Sequence, residues 1–238
     1  MENLFKDKSR IFCFTPEVML ATFLIEIALA IYVFVKYRLT IFGRITVMIL
    51  LLLAGFQLAE YQICAGSNPV FWSRIGFIII TFLPVLALHL IALLTGKNHF
   101  LKIGYTLMLV YLVIFAFGEK AISGAVCNGN YIIFNTAQEL WWTYGLYYFG
   151  FLLFGIWEAV EGIISDIRNK IYYWIILGYM SFMLPLGIVY MAAPVVVWSG
   201  TASIMCGFAV IFAFILAFKI APLYNKYYES GKRNKKDY

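Results

Sequence analysis

Four acidic side chains stand where acids are scarce. Glu26, Glu60, Glu158 and Glu161 lie in or at the edge of long apolar runs, together with Gln57 and His89. A charge inside hydrocarbon is costly, turns towards the interior of a helix bundle, and marks a candidate ion, proton or ligand site. Glu26 lies deepest, about nine residues or about 13 Å into the first run at the helical rise per residue. Thr22 and Ala30 flank it at i−4 and i+4, a small face suited to close helix packing. Its carboxyl can serve a proton or ligand site, or stay protonated and donate a hydrogen bond between helices. Gln57 and Glu60 share one helical face at i, i+3, as do Glu158 and Glu161. His89 has only His99, in a loop, for company, which argues against a bis-histidine haem. Neither a cofactor nor a metal is expected.

The cysteines are Cys13, Cys64, Cys127 and Cys206, without a CxxC or similar metal-site spacing. A Cys64–Cys127 disulfide would tie the second apolar run to the long loop 119–139, and unpaired thiols are equally compatible. The stretch ELWWTYGLYYFG, residues 139–150, has two readings. It is an interfacial aromatic belt, or the wall of an aromatic-lined apolar pocket that includes Trp141 and Trp142. Pro84 and Pro185 interrupt two further runs and free backbone carbonyls, either as structural kinks or as site-forming breaks.

The elements that carry these residues follow from composition. Of 238 residues, 63% are hydrophobic and 13% charged, whereas soluble domains are about 45–50% apolar and about 25% charged. That excess must face lipid, which excludes a soluble enzyme or a nucleic-acid binder despite the net charge of +6. Seven runs are long enough to cross a bilayer: 18–37, 41–63, 70–94, 100–117, 140–160, 171–192 and 195–220. The first is too polar at its approach for a signal peptide and is expected to be retained. The expectation is therefore an all-α, polytopic membrane protein, one seven-helix domain over 1–238.

Lys and Arg placement orients the bundle. With the N-terminus outside, the inner side holds thirteen of the 18 basic residues, including Lys36, Arg38, Arg44, Lys97, Arg168, Lys235 and Lys236. The outer side holds Lys6, Lys8, Arg10, Arg74 and Lys120. Residues 1–17 then form an outer N-terminus. Residues 221–238 form a basic tail at the cytoplasmic face, suited to anionic lipid. The expected location is the cell membrane.

One offset relates several of the polar residues. Gln57, Glu60, Asn68 and Pro84, each advanced by 101, give Glu158, Glu161, Asn169 and Pro185. Residues 57–90 match 158–191 at six of thirty-four ungapped positions. The first three and next three helices would then be inverted repeats with a seventh appended, an organisation seen in transporters. Chance coincidence is the plain alternative.

The stretch NPVFWSRIGFIIITFLPVLALHLIALLTGK, residues 68–97, resembles the N-terminal seven-helix sensory region of microbial histidine kinases. The matching features are Phe71, Trp72 and Arg74 at the helix entry, Pro84 at mid-span and His89 five residues later. CFTPE at 13–17 with FQLAE at 56–60 looks like an uncharacterised family of small bacterial membrane proteins. The first resemblance implies a membrane sensor, although eighteen residues after the last run leave no room for a kinase domain. Signalling would pass through a separate partner. The resemblance brings no ligand residues with it.

Three functions remain open. A sensor or receptor-like module would bind a small ligand near Gln57, Glu60 and the aromatic cluster. A transporter or ion channel would use the repeat and Glu26, and an accessory subunit would serve a larger complex. No HExxH, GxGD or GxSG motif is present, so no enzymatic activity is expected. The expected partners are the bilayer and another protein, with self-association left open and nucleic acid excluded.

Overall fold

A computed structural model describes residues 15–37, 40–128, 131–165, 170–192 and 194–234. The expectations that fall on residues 1–14 (Cys13 among them), Arg38, Arg168, Asn169, Lys235 and Lys236 lie outside the described residues.

Helix α1 spans Pro16–Tyr37, α2 Ile41–Cys64, α3 Pro69–Thr95 and α4 His99–Phe117. A hairpin of β1, Ile122–Cys127, and β2, Ile132–Thr136, precedes α5, Gln138–Ser165, and α6, Lys170–Ala192. Helix α7, Pro194–Ile215, runs through a π-helical turn, Leu216–Ile220, into α8, Ala221–Asn234. Seven of these helices are long and apolar enough to cross a membrane. The chain is thus an all-α, multi-pass membrane protein.

Local chemistry sets the helix ends. Asn68 accepts the Val70 and Phe71 amides at 3.1 Å and Pro69 occupies the first turn, so α3 starts there. Gly96, at φ 74°, ends it in the left-handed conformation. Between α1 and α2 the chain turns back so tightly that a Cβ on Gly43 would lie 2.0 Å from the Tyr37 carbonyl oxygen. Only glycine fits.

Helix α3 is central and touches α2, α4, α5 and β1, while α7 packs on α1, α2, α6 and β2. Apolar side chains such as Leu24, Val35, Leu146 and Ile164 are left exposed on the outer faces, where acyl chains would cover them. Helix α8 begins packed against α2, its Tyr224 ring stacked on Phe42 with centroids 4.0 Å apart. The tail is helical through Asn234.

Two features differ from expectation. The loop 119–139 contains the hairpin, which packs under α2, α3 and α7. The helix packing also does not repeat. Helices α1 and α2, and α2 and α3, lie with their backbones close together, whereas α4 meets α5 through larger side chains, Phe100 on Phe154, Tyr111 on Tyr147 and Phe115 on Tyr144, with ring centroids 4.3, 5.0 and 5.0 Å apart. Glu60 is buried, while its offset partner Glu161 stands in an exposed ion pair.

Candidate functional site

The buried face of α1 recurs at helical spacing through Met19, Thr22, Glu26, Leu29 and Val33. It meets α2 and α7, so Glu26 is placed at 0% exposure. On α2 the i, i+3 pair Gln57 and Glu60 is likewise buried, at 2% and 1% exposure. Helix α7 adds Ser203 and, one turn further, Cys206, both buried. The Ser203 hydroxyl accepts the Ile132 backbone N–H of β2 at 3.1 Å. Glu26 and Glu60 are within electrostatic range of each other, and Cys206 of both.

This cluster is short of hydrogen bonds. Both oxygens of Glu26, Oε1 of Glu60 and Nε2 of Gln57 are buried without a partner. Buried polar atoms are nearly always paired, so each such orphan calls for an explanation. Thr22 does not help Glu26, because its hydroxyl donates to its own helix at the Val18 carbonyl, 2.8 Å away.

A cavity of about 60 Å³ is walled by Phe77, Phe115, Phe134, Trp141, Tyr144 and Tyr148, with Cys206 in its lining. Trp141, Phe134 and Thr136 also border an open cleft of about 530 Å³ at the hairpin end. Two smaller spaces continue from the cavity through the bundle. The first, about 30 Å³, shares Tyr148, Met205 and Cys206 with it. The second, about 10 Å³, shares Ala87, Tyr179 and Phe212 with the first and reaches Ile220 near the far end. The lining is almost wholly apolar, with the unpartnered Tyr179 hydroxyl as an exception.

The aromatic stretch therefore divides. Trp141 is half-buried in the cavity wall, while Trp142 is exposed beside the cleft as a belt residue would be. Tyr144 and Tyr147 clasp α3: Tyr147 donates to the Thr81 carbonyl at 2.6 Å, and Tyr144 shares a hydrogen bond with the Thr81 hydroxyl at 3.1 Å. Thr81 lies three residues before Pro84, where the helical ladder is interrupted.

The remaining candidates lie elsewhere. Glu158 and Glu161 meet Lys97, from the loop between α3 and α4, at the far end; the Lys97–Glu158 distance is 3.5 Å. Trp157 also donates to Glu161 at 2.9 Å. The hydrogen bond to Glu161 holds the Lys97 ammonium above the usual lysine range. His89 Nδ1 pairs with the Tyr105 hydroxyl at 2.8 Å, joining α3 to α4. Pro185 is half-buried within α6, and Cys64 and Cys127 form a disulfide that pins β1 to the end of α2.

Ser203, Cys206 and the β2 backbone were not singled out from sequence. Serine and cysteine are ordinary in membrane helices, and no local pattern distinguishes these two. The hairpin did leave a signal: Asn128-Gly129-Asn130 between β-branched segments is a turn signature. No protein-family model matches the chain, and no curated protein matches it.

Proposed function

We propose that this chain is a receptor-like membrane module that takes a small, mostly apolar molecule at the hairpin end, with that end facing outside. The observation that carries this reading is the aromatic-walled cavity opening towards a surface cleft. A water molecule occupies about 30 Å³ in the liquid, so the cavity of about 60 Å³ admits a group of a few heavy atoms as it stands. A larger ligand would place its remainder in the cleft. Aromatic walls favour a ring or a hydrocarbon, and their faces also suit a positively charged end. Output would pass to a separate partner protein at the far end.

The test is equilibrium binding of radiolabelled benzylamine and toluene to the protein in nanodiscs, with Trp141 fluorescence as a second readout. Saturable binding that weakens at least tenfold in Ala202→Phe, which fills the cavity, supports the reading. Equal, non-saturating partition into both proteins overturns it.

A second reading, transport, draws on the succession of small spaces from the hairpin end towards Ile220, each divided from the next by a few shared side chains. Flux of the bound probe across proteoliposomes would favour it over sensing. Binding without flux would favour the receptor.

A further inference from the structure

We propose that α1, the π-helical turn and α6 together form a binding site for one anionic phospholipid, its phosphate taken by Lys36 and Lys219 and an acyl chain lying along Phe218, Phe214 and Ile211. The site is at the end opposite the hairpin and does not depend on the ligand reading.

Ring contacts bring the three elements to one place. Lys36, in the last turn of α1, donates to the Tyr32 hydroxyl at 3.0 Å. Its ammonium lies 5.2 Å from the Tyr32 ring centre and 5.5 Å from that of Tyr37. The Tyr32 ring in turn rests on Phe218 of the π-helical turn, with centroids 5.2 Å apart. Lys219 follows Phe218 in the chain, and its ammonium lies 5.1 Å from the Trp174 ring centre of α6. The two lysines therefore flank a single aromatic contact.

The π-helical turn presents half of the site. Such turns are rare and are found mostly at functional sites. Within this one Leu216, Ala217 and Ile220 are buried, while the neighbours Phe218 and Lys219 are both exposed.

Charge names the occupant. Lys97, at the same end, is met by Glu158 and Glu161. Among the described residues no carboxylate pairs with Lys36 or Lys219, which are held by rings and a hydroxyl. A ring face attracts a cation without neutralising it, so two positive charges remain where lipid headgroups lie. Each ammonium has three donors, of which Lys36 uses one on Tyr32. A phosphate supplies acceptors for the others. A zwitterionic headgroup brings an ammonium of its own, which the lysines repel, whereas a net anionic lipid complements them.

A hydrocarbon path leads away from the lysines. Phe218, Phe214 and Ile211 follow one another at spacings of four and three and are 47, 42 and 46% exposed. The Phe214 and Phe218 rings are nearly parallel, 6.0 Å apart. At the helical rise per residue this ridge runs about 10 Å towards the bilayer centre, enough to seat the upper part of an acyl chain.

Native mass spectrometry of the full chain, released from detergent with equal amounts of dioleoylphosphatidylglycerol and dioleoylphosphatidylcholine, tests the site. We expect one phosphatidylglycerol to be retained at least about tenfold better than phosphatidylcholine, in line with two lysines near the membrane surface. The preference should vanish in the double variant Lys36→Gln, Lys219→Gln. It should persist in Lys36→Arg, Lys219→Arg and in the tail variant Lys232→Gln, Arg233→Gln. Equal retention of the two lipids by the wild type overturns the proposal, as does a preference that survives the Gln pair or is lost in the tail variant. Displacement of the lipid by millimolar inorganic phosphate would make the acyl chain dispensable and also overturn it. Should the Gln pair fail to fold, phosphatidylglycerol with a diazirine on its acyl chain is photolysed with the wild type in nanodiscs. Adducts concentrated on residues 211–218 support the site, and adducts spread evenly over the outer helix faces overturn it.

Discussion

Arg74 reaches from the start of α3 to the last carbonyls of α4, its guanidinium donating to Ala116, Gly118 and Glu119 at 3.4, 3.1 and 3.3 Å. The end of a helix leaves carbonyls without partners and a partial negative charge, and a forked cation answers both. Arg74→Met should therefore destabilise the protein by about 1.5–3 kcal/mol, the range for hydrogen bonds to charged groups. Lysine, a point charge without the fork, should restore only part of it. Unfolding midpoints in mixed micelles measure both variants. At the far end, Lys97 carries a raised pKa because of Glu161. Its contribution is complete below the ordinary lysine value of about 10.4 and fades as pH rises through the higher folded value. A decline in stability above that pH, absent in Lys97→Met and smaller in high salt, is the expected result of a thermal series. Sequence alone picked out the acids at both ends by their rarity in apolar runs. It did not separate the buried pair Glu26 and Glu60 from the exposed Glu161, because identical i, i+3 spacing on α2 and α5 says nothing about what packs opposite.

The hairpin is the element that organises the site, and it is held at three points. The disulfide fixes β1 to α2, Ser203 holds the Ile132 amide of β2, and Phe134 of β2 enters the cavity wall. Breaking the disulfide with Cys64→Ala and Cys127→Ala opens a link between residues 63 positions apart. The chain-entropy estimate for a loop of that length is about 4 kcal/mol. We expect a loss approaching that, together with faster amide exchange across residues 122–127 and 132–136 and little change in α1. Uniform exchange throughout would show that the hairpin and bundle open as one unit. The seven helices were legible because an apolar run of about twenty residues has few other uses, and their ends fell within a few residues of those read from sequence, apart from the far ends of α5 and α7. The hairpin was less legible despite the Asn-Gly turn signature in the sequence, since a loop between two helices invites no strand pairing by itself.

At the scale of the whole molecule, the orientation we propose rests on two independent arguments. Lys36, Arg44, Lys97, Lys102, Lys170 and Lys219 lie towards the end opposite the hairpin, whereas Arg74 and Lys120 lie at the hairpin end. Positive residues in short loops are retained on the cytoplasmic side. The disulfide, at the hairpin end, belongs in an oxidising compartment. If the basic end faced outward, translocation would have carried the lysine-rich turns across while the cysteine pair faced cytosolic reductants. Both costs fall on the same orientation. Ser123 in β1 and Asn98 before α4 are exposed at opposite ends and suit a direct comparison. In a Cys13→Ser background, Ser123→Cys should react with a membrane-impermeant maleimide in intact cells, and Asn98→Cys only after permeabilisation. The buried Cys206 and the disulfide-bonded pair contribute little background. The reverse pattern would place the cavity mouth in the cytoplasm, so that a ligand would have to come from inside the cell and the hairpin's disulfide would need protection from reduction. Labelling of both sites in intact cells would mean that insertion is mixed, with the charge difference too weak to select one topology.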